Sequence, residues 1–576
     1  MHKLYTVATL VILASLALAA CGGGTPEVTQ APPEEAPTSA PVEAAETEAP
    51  PPPTEAPAPE SGTVVLRVGG LEDIDCWNPY SCSSHWPFND LVYEGFTGHG
   101  KEPGCDGVPR LADSMEVSDD GLTWTIHLDE GITYSDGTPF DANSAVEFID
   151  WFNSTSLVYW FYTTLYMQDV HAVDDLTLQF TTELPISTVE DYDGVWWWML
   201  PPHIWTNYTE DTLWEYDAFP PVGTGPYTVT EHQPGEYIIY DAMPDYHRGE
   251  PPVDRIVYQI YANADAMINA FLAGEIDLTA RDTPTIYYDT LVDAPHTTVE
   301  ERAPGNLHHL AFNLYDGGNK NLLIEDPEVR KAIDYATNKQ EIVDVALLGH
   351  GVTCPNVWAC GPNYADEVNP NIEVTPFDLE QAAQILEDAG YQDRDGDGIR
   401  EAQDGTPLSF RLFYKVEIPA HLTMADMVTD WLAEIGVEIV PEALESGTLQ
   451  RVVYDDRDYD IALFSEGADI DPASIDFEFS CWTADAGSAG LNNAGFCSEE
   501  MDNLLFEYWT TRDEEAAQTA LYAMDEMLAT LRPRVNLAGE NQIQAFNSEK
   551  FDFPRASCNV GMGMWDYPSV MEIEVK

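Results

Sequence analysis

A chain of 576 residues with 101 acidic against 24 basic side chains carries a formal net charge of -77, a sign that argues against nucleic acid as a partner. With 44% hydrophobic residues there is enough apolar surface for two or three lobes with substantial cores, and after the N-terminus no second apolar run has the length of a bilayer span. The acidity reads as a solvated surface suited to high salt or to colloidal stability, with steering of cationic solutes as the alternative.

The first twenty residues hold one cation, Lys3, then an apolar run that ends in Leu18, Ala19, Ala20 and Cys21. The run is short for a membrane helix and lacks a basic flank that would stop transfer. It therefore predicts a secretory signal over residues 1–20 closing in a lipobox, with Cys21 the acylated first residue of the mature chain. Residues 21–62 are rich in Pro, Glu, Ala and Thr, with eight acids and no base, and are expected to form an extended tether. The expected location is outside the cytoplasmic membrane, at the cell surface or in the periplasm, held by lipid alone. Beyond Cys21 eight cysteines remain, an even number that in an oxidising compartment favours disulfides over metal ligation. Cys354 with Cys360 and Cys481 with Cys497 are the expected pairs; Cys76, Cys82, Cys105 and Cys558 have no assignable connectivity.

Residues 122–128 alternate apolar and polar and predict a half-buried strand. After the turn at Asp136-Gly137-Thr138-Pro139, Asp141 is placed to cap a helix whose Ala145, Phe148, Ile149 and Phe152 share one face. Residues 227–240 read as a hairpin turning across Gln233-Pro234-Gly235, and 255–261 as another strand. Asp326 before Pro327 announces a helix start, and Asp378 opens a helix that Gly390 terminates. From there 408–414, 421–434, 437–440, a helical stretch near Leu449 and 459–464 alternate strand and helix, predicting right-handed crossovers and a largely parallel sheet that collects ligands at the carboxyl ends of its strands. Asp393, Asp395 and Asp397, followed by Gly398, place alternate carboxylates as a hard cation needs them, with Glu401 or Asp404 to complete the shell. The loop is a candidate for structural calcium, and a solvated acidic hairpin is its plain alternative; no cofactor is otherwise called for.

Several blocks together carry a family resemblance: LADSMEVSDDGLTWTIHLDEGITYSDGTPFDANSAVEF (111–148), VGTGPY (222–227), the Tyr246-His247-Arg248-Gly249 turn with Asp254-Arg255-Ile256, AFLAGEIDL (270–278), and AFN (311–313) with PEVRKAIDYATNKQEIV (327–343). In this order and spacing they resemble the family 5 extracellular solute-binding proteins, the oligopeptide, dipeptide and nickel binders of ABC importers. The resemblance runs from about residue 63 to the C-terminus. It implies an α/β, type II periplasmic-binding-protein-like fold of two lobes on a two-stranded hinge, closing around a solute without covalent chemistry. Residues 63–308 would form the first lobe with an inserted subdomain, 309–535 the second, and 536–576 the return to the first. The implied ligand is a peptide, with an oligosaccharide or another small polar solute as the alternative. The implied partners are the membrane subunits of the permease, the binder itself acting as a monomer.

In peptide-binding relatives, a second-lobe strand runs into a loop whose backbone pairs with the ligand and whose aspartate meets the α-ammonium. That segment is similar to residues 459–472 here, and the aspartate falls on Asp469. The expected contacts are Ser465, Glu466, Gly467, Ala468 and Asp469, with Glu466 standing where a tryptophan is usual, either as a second acid for a cationic ligand or as a solvent-facing carboxylate. Lys415, at the end of a second-lobe strand, is the candidate for the ligand carboxylate; Ser83 and His85 follow the first strand, and Trp197 belongs to a run Trp196-Trp197-Trp198 that could offer one exposed ring beside core packing. Adjacent His308 and His309 on a strand point to opposite faces and cannot chelate together. An enzyme is the rival class, with Asp469 and Asp471 as an acid pair, but no Gly-x-Ser-x-Gly elbow, His-Glu-x-x-His helix or phosphate loop is present, and no repeats suggest an adhesion protein.

Overall fold

The structure is a computed structural model that describes residues 62–576 apart from 75, 81–85, 99–107, 156–165, 188, 190–196, 218, 282, 362–366, 468–471, 473–474, 486–490 and 555–566. The chain enters along β1 (Val65–Gly70) and builds an antiparallel sheet from β2 (Ala112–Val117), β3 (Thr123–Leu128), β4 (Gln168–Asp174) and β5 (Thr177–Thr181), in the order β2-β3-β5-β4. On β3 the alternation places Trp124, Ile126 and Leu128 inward, as a period of two requires. Helix α1 (Ala142–Asn153) begins where Asp141 accepts a hydrogen bond from the Ser144 N–H at 2.9 Å, and its buried face includes Ala145, Phe148, Ile149 and Phe152. The hairpin forms from β6 (Tyr227–Gln233) and β7 (Tyr237–Ala242), and β8 (Arg255–Ile260) completes a second sheet, β1-β8-β7-β6. One apolar cluster spans both sheets and α1.

Gly223 and Gly225, just before β6, have no positive φ. A Cβ on Gly223 would lie 1.9 Å from the Val92 carbonyl oxygen and one on Gly225 2.4 Å from that of Leu91, and Gly225 N–H donates to Val92 O at 2.9 Å. Close backbone approach, not left-handed geometry, calls for glycine there.

The second half is built on β9 (Thr297–Phe312), α2 (Pro327–Tyr335), β10 (Gly351–Val352), α3 (Leu379–Asp388), β11 (Ser409–Lys415), α4 (Pro419–Glu434), β12 (Glu438–Leu444), β13 (Ile461–Gly467), α5 (Ile475–Phe479), α6 (Glu499–Thr510), α7 (Glu514–Leu531) and β14 (Arg534–Asn547). Asp326 and Asp378 cap α2 and α3, accepting from Glu328 N–H and Gln381 N–H at 2.9 and 2.8 Å. The sheet order is β10-β14-β9-β13-β11-β12. Strands β12, β11 and β13 are parallel, but β13 with β9, β9 with β14 and β14 with β10 are antiparallel. The sheet is therefore mixed rather than largely parallel, because the chain arrives in this half along β9 and leaves it along β14, and two such strands side by side must run in opposite directions. Pro441 sits in β12 at the sheet edge, where its missing donor costs nothing.

β9 and β14 serve both halves. Thr297–Arg302 pairs with Asn547–Gln542, and Leu278 bridges β1 at Val68 to β14 at Phe546. Leu310 and Phe312 pack with Val535 and Leu537 in a separate second-half core. Between the two the ladder is irregular, with register shifts from Arg302 to Pro304 and from Pro304 to Asn306.

Candidate functional site

Strand β13 ends beside this irregular crossing. Its last two residues, Glu466 and Gly467, pair with Leu307 and Asn306 of β9. On its other side β13 pairs with β11 only at Ile461, Ala462 and Leu463. From Phe464 to Gly467 that edge has no strand partner among the described residues, and an edge of this kind is where another extended chain can pair.

Glu466 is neither solvent-facing nor alone. Its side chain is 13% exposed and lies 3.6 Å from Arg534 Nη1, which holds Glu478 Oε2 at 2.6 Å. Arg534, first residue of β14, also donates to Trp358 O at 2.9 Å and lies over the Phe479 ring. Asn493 spends its two amide hydrogens on Glu466 Oε1, at 2.5 Å, and on His309 Nε2, at 3.0 Å. His309 Nδ1 faces Leu307 O at 3.3 Å, so the imidazole is the neutral Nδ1–H tautomer, and burial followed by the Arg534 charge holds its pKa well below the ordinary value. Two carboxyls thus face one guanidinium. Burial, and then the Glu478 charge, push Glu466 up to about 8 against the opposing pull of Arg534 and Lys415; burial pushes Glu478 up as well, with Arg534 opposing. Burial and the facing carboxyl thus both favour the protonated form of Glu466.

Lys415 ends β11 with its Nζ 5.8 Å from the Phe464 ring centroid, and its charge favours the ionised form of Glu466. The neighbouring base Arg411 is engaged by Asp458 at 2.6 Å and Asp460 at 3.0 Å, so it has a structural partner. Ser465 is half-buried on β13 opposite His308. Ala468, Asp469, Asp471, Ser83, His85, Trp196 and Cys21 lie outside the described residues. Trp197 does not offer a ring to a solute: it is 2% exposed and packed 5.7 and 6.0 Å from the ring centroids of Phe96 and Phe180. Its place in the first-half core is what an aromatic without solvent access would take. Trp198 is buried against Tyr93. His308 and His309 do point apart, His308 reaching Glu540 at 3.0 Å and His421 at 3.3 Å.

Glu478, Asn493 and Arg534 were not singled out from the sequence. One signal was available: Arg534 opens an apolar strand, and a base buried in a strand requires an acid partner.

The Asp-rich loop brings ligand oxygens of Asp393, Asp395, Asp397 and Glu401 within 4.8 Å of one another. Glu401 is 7% exposed. Asp404 is not in the group; it accepts from Thr406 N–H at 3.0 Å in a separate turn, so of the two acids available to complete the shell the fold brings in Glu401. All donors are hard oxygens, the chemistry calcium prefers. Cys354 is bonded to Cys360 and Cys481 to Cys497, and Cys76 also takes part in a disulfide; Cys82, Cys105 and Cys558 lie outside the described residues. No described helix is long and apolar enough to cross a membrane.

Residues 106–487 match the model of the bacterial extracellular solute-binding proteins, family 5 Middle. The chain belongs to that family. Among curated members it is 26% identical over 372 residues to the nickel-binding periplasmic protein of Escherichia coli K12, covering 63% of this chain and 68% of that one. It is 25% identical to the oligopeptide-binding protein AppA of Bacillus subtilis, covering 69% and 71%. The AppA structure with a nonapeptide superposes with a TM-score of 0.72 at 21% identity, over 89% of this chain and 99% of that one. The periplasmic oligopeptide-binding protein of Thermotoga maritima superposes with a TM-score of 0.78 at 20% identity, over 90% and 100%, and its mannohexaose complex with 0.74. The fold is the two-lobed type II α/β fold of these proteins, the crossing strands β9 and β14 joining the lobes.

Proposed function

We propose that this protein captures a peptide between its two lobes, as a monomer, and delivers it to the transmembrane subunits of an ABC importer, working outside the cytoplasmic membrane from a lipid anchor at Cys21. The observation that carries the peptide reading is the open edge of β13 from Phe464 to Gly467 beside the strand crossing. A backbone edge recognises what every peptide shares, its own main-chain donors and acceptors, and asks little of side chains. Support for capture without chemistry comes from family membership. Support for the anchor comes from the small residues before Cys21. An oligosaccharide is the alternative, since a structural relative holds mannohexaose, although Trp197 and Trp198 are buried and offer it no ring; His308 and His309 point apart and do not jointly chelate a metal.

The test is mass spectrometry of small molecules released from the purified protein, followed by thermal-shift titration with a nonapeptide pool and with mannohexaose. Peptides recovered and a melting temperature rising with peptide support the reading. Sugars or metal chelates recovered without peptides overturn it.

We further propose that Asp393, Asp395, Asp397 and Glu401 hold a structural calcium ion, supported by their four converging oxygens. Calcium there would tie α3 to the start of β11 and take no part in ligand capture.

A further inference from the structure

The crossing of β9 and β14 is the place where a two-lobed binder bends, and in this chain it has a brace. Pro304 interrupts β9 at the register shift, and its ring removes a backbone donor and fixes φ. Pro304 pairs with Asn541 of β14, and its ring lies over Gly539 of the same strand, where a Cβ would lie 2.7 Å from Pro304 Cγ and 3.1 Å from Cys360 Sγ. Gly361, at φ +116°, would place a Cβ 2.8 Å from Pro304 Cδ. The proline is therefore gripped between β14 and the residues at the end of the Cys354–Cys360 loop, with no room for a methyl group at either glycine.

The rest of that loop is fastened along β14. Gly351 and Val352 of β10 pair with Glu540 and Gly539. The Asn536 side chain donates to Pro355 O and Val357 O at 2.7 and 2.8 Å, and its N–H donates to Asn356 Oδ1 at 2.9 Å. Arg534 donates to Trp358 O, and Lys339, paired with Asp334 at 3.0 Å, reaches Cys354 O at 3.3 Å. From Gly351 to Trp358 the loop runs back along β14 from its middle to its start; the disulfide then returns Cys360 to Gly539 and Pro304, where both cysteines pack with Leu307 and Val352. One end is bound to the second lobe, and the other presses on the residue at which β9 crosses to the first.

We propose that the loop closed by Cys354–Cys360 is a splint that fixes the bending point of the hinge and sets the balance between open and closed lobes. This rests on the reading of the protein as a closing two-lobed binder, but its test needs no ligand. Hydrogen exchange of the ligand-free protein is compared among the wild type, the C354S/C360S double variant, G539A with the disulfide intact, and C481S/C497S as a control disulfide outside the loop that grips Pro304. The expected result is at least tenfold faster exchange in residues 301–309 and 537–543 for the first two variants. β3 and β11 should keep wild-type protection in every variant and residues 301–309 and 537–543 should keep it in C481S/C497S, and the radius of gyration by X-ray scattering should shift for the first two variants alone. Unchanged exchange at the crossing in G539A and in a folded C354S/C360S variant would overturn the proposal. So would loss of protection spread evenly over the second lobe, which is what a merely stabilising disulfide would give. If C354S/C360S does not fold, G539A alone decides. Failure to bind peptide, with the hinge behaving as described, would strike the ligand reading and leave the splint standing.

Discussion

Glu466→Gln should make the protein more stable at alkaline pH and leave it unchanged in acid. In the folded chain Glu466 and Glu478 face one guanidinium, and burial raises Glu466 from its ordinary 4.5 to about 8. A carboxyl whose folded pKa lies above its unfolded value binds its proton more tightly when folded. Stability is then complete below pH 4.5 and is lost as pH rises toward 8. At about 1.4 kcal/mol for each pH unit, the ionised side chain costs up to about 5 kcal/mol at pH 8 and above. Glutamine keeps the shape, presents an oxygen to Asn493 and cannot ionise. Urea or thermal denaturation of both proteins at half-unit steps from pH 4 to pH 9 should show coincident stability near pH 4 and a gap that widens to several kcal/mol by pH 8. A gap that is constant with pH, or one that closes as pH rises, would refute the tighter hold of buried Glu466 on its proton and with it the account of why a carboxyl is tolerated at this strand end.

Arg110 lies buried against Asp90 at 2.6 Å and Glu94 at 3.5 Å and covers the Tyr567 ring, so Arg110→Met should destabilise the first lobe by about 3–5 kcal/mol, the cost of leaving buried acids without their cation, read as a lowered midpoint in urea. Asp525, fully buried on α7 and raised to about 7 by burial despite accepting from the Asn369 and Trp358 N–H groups, also holds its proton better when folded. Asp525→Asn should match wild type near pH 4 and exceed it by about 4 kcal/mol above pH 7, measured by the same denaturation series. For the Asp-rich loop, calcium should raise the melting temperature of the chelator-stripped protein and Asp395→Asn should abolish that rise without altering peptide titration; an unchanged melting temperature across millimolar calcium would show the loop to be a solvated turn.

Local signals carried far in this chain where chemistry and neighbours agreed. Asp141, Asp326 and Asp378 cap the helices they precede because a carboxylate before an amphipathic run has one good use, to take the free N–H groups of the first turn. Alternation on β3 was decisive because one face is buried. The mixed sheet was not legible, since strand direction depends on the path of β9 and β14 between lobes, and nothing in either segment records where its neighbour comes from. The same limit hid the site: Glu466 was visible as a carboxylate standing where relatives place an aromatic, but its meaning lies in Glu478, Asn493 and Arg534, which the fold brings to it from other elements. Arg411 illustrates the cost of reading charges one at a time. In a chain with 24 bases against 101 acids, a base on a strand meets acids of its own lobe, as Arg411 does with Asp458 and Asp460. Lys415 remains the candidate for a ligand carboxylate, and the β13 edge, which recognises a main chain without needing a charge, suits a binder so poor in cations.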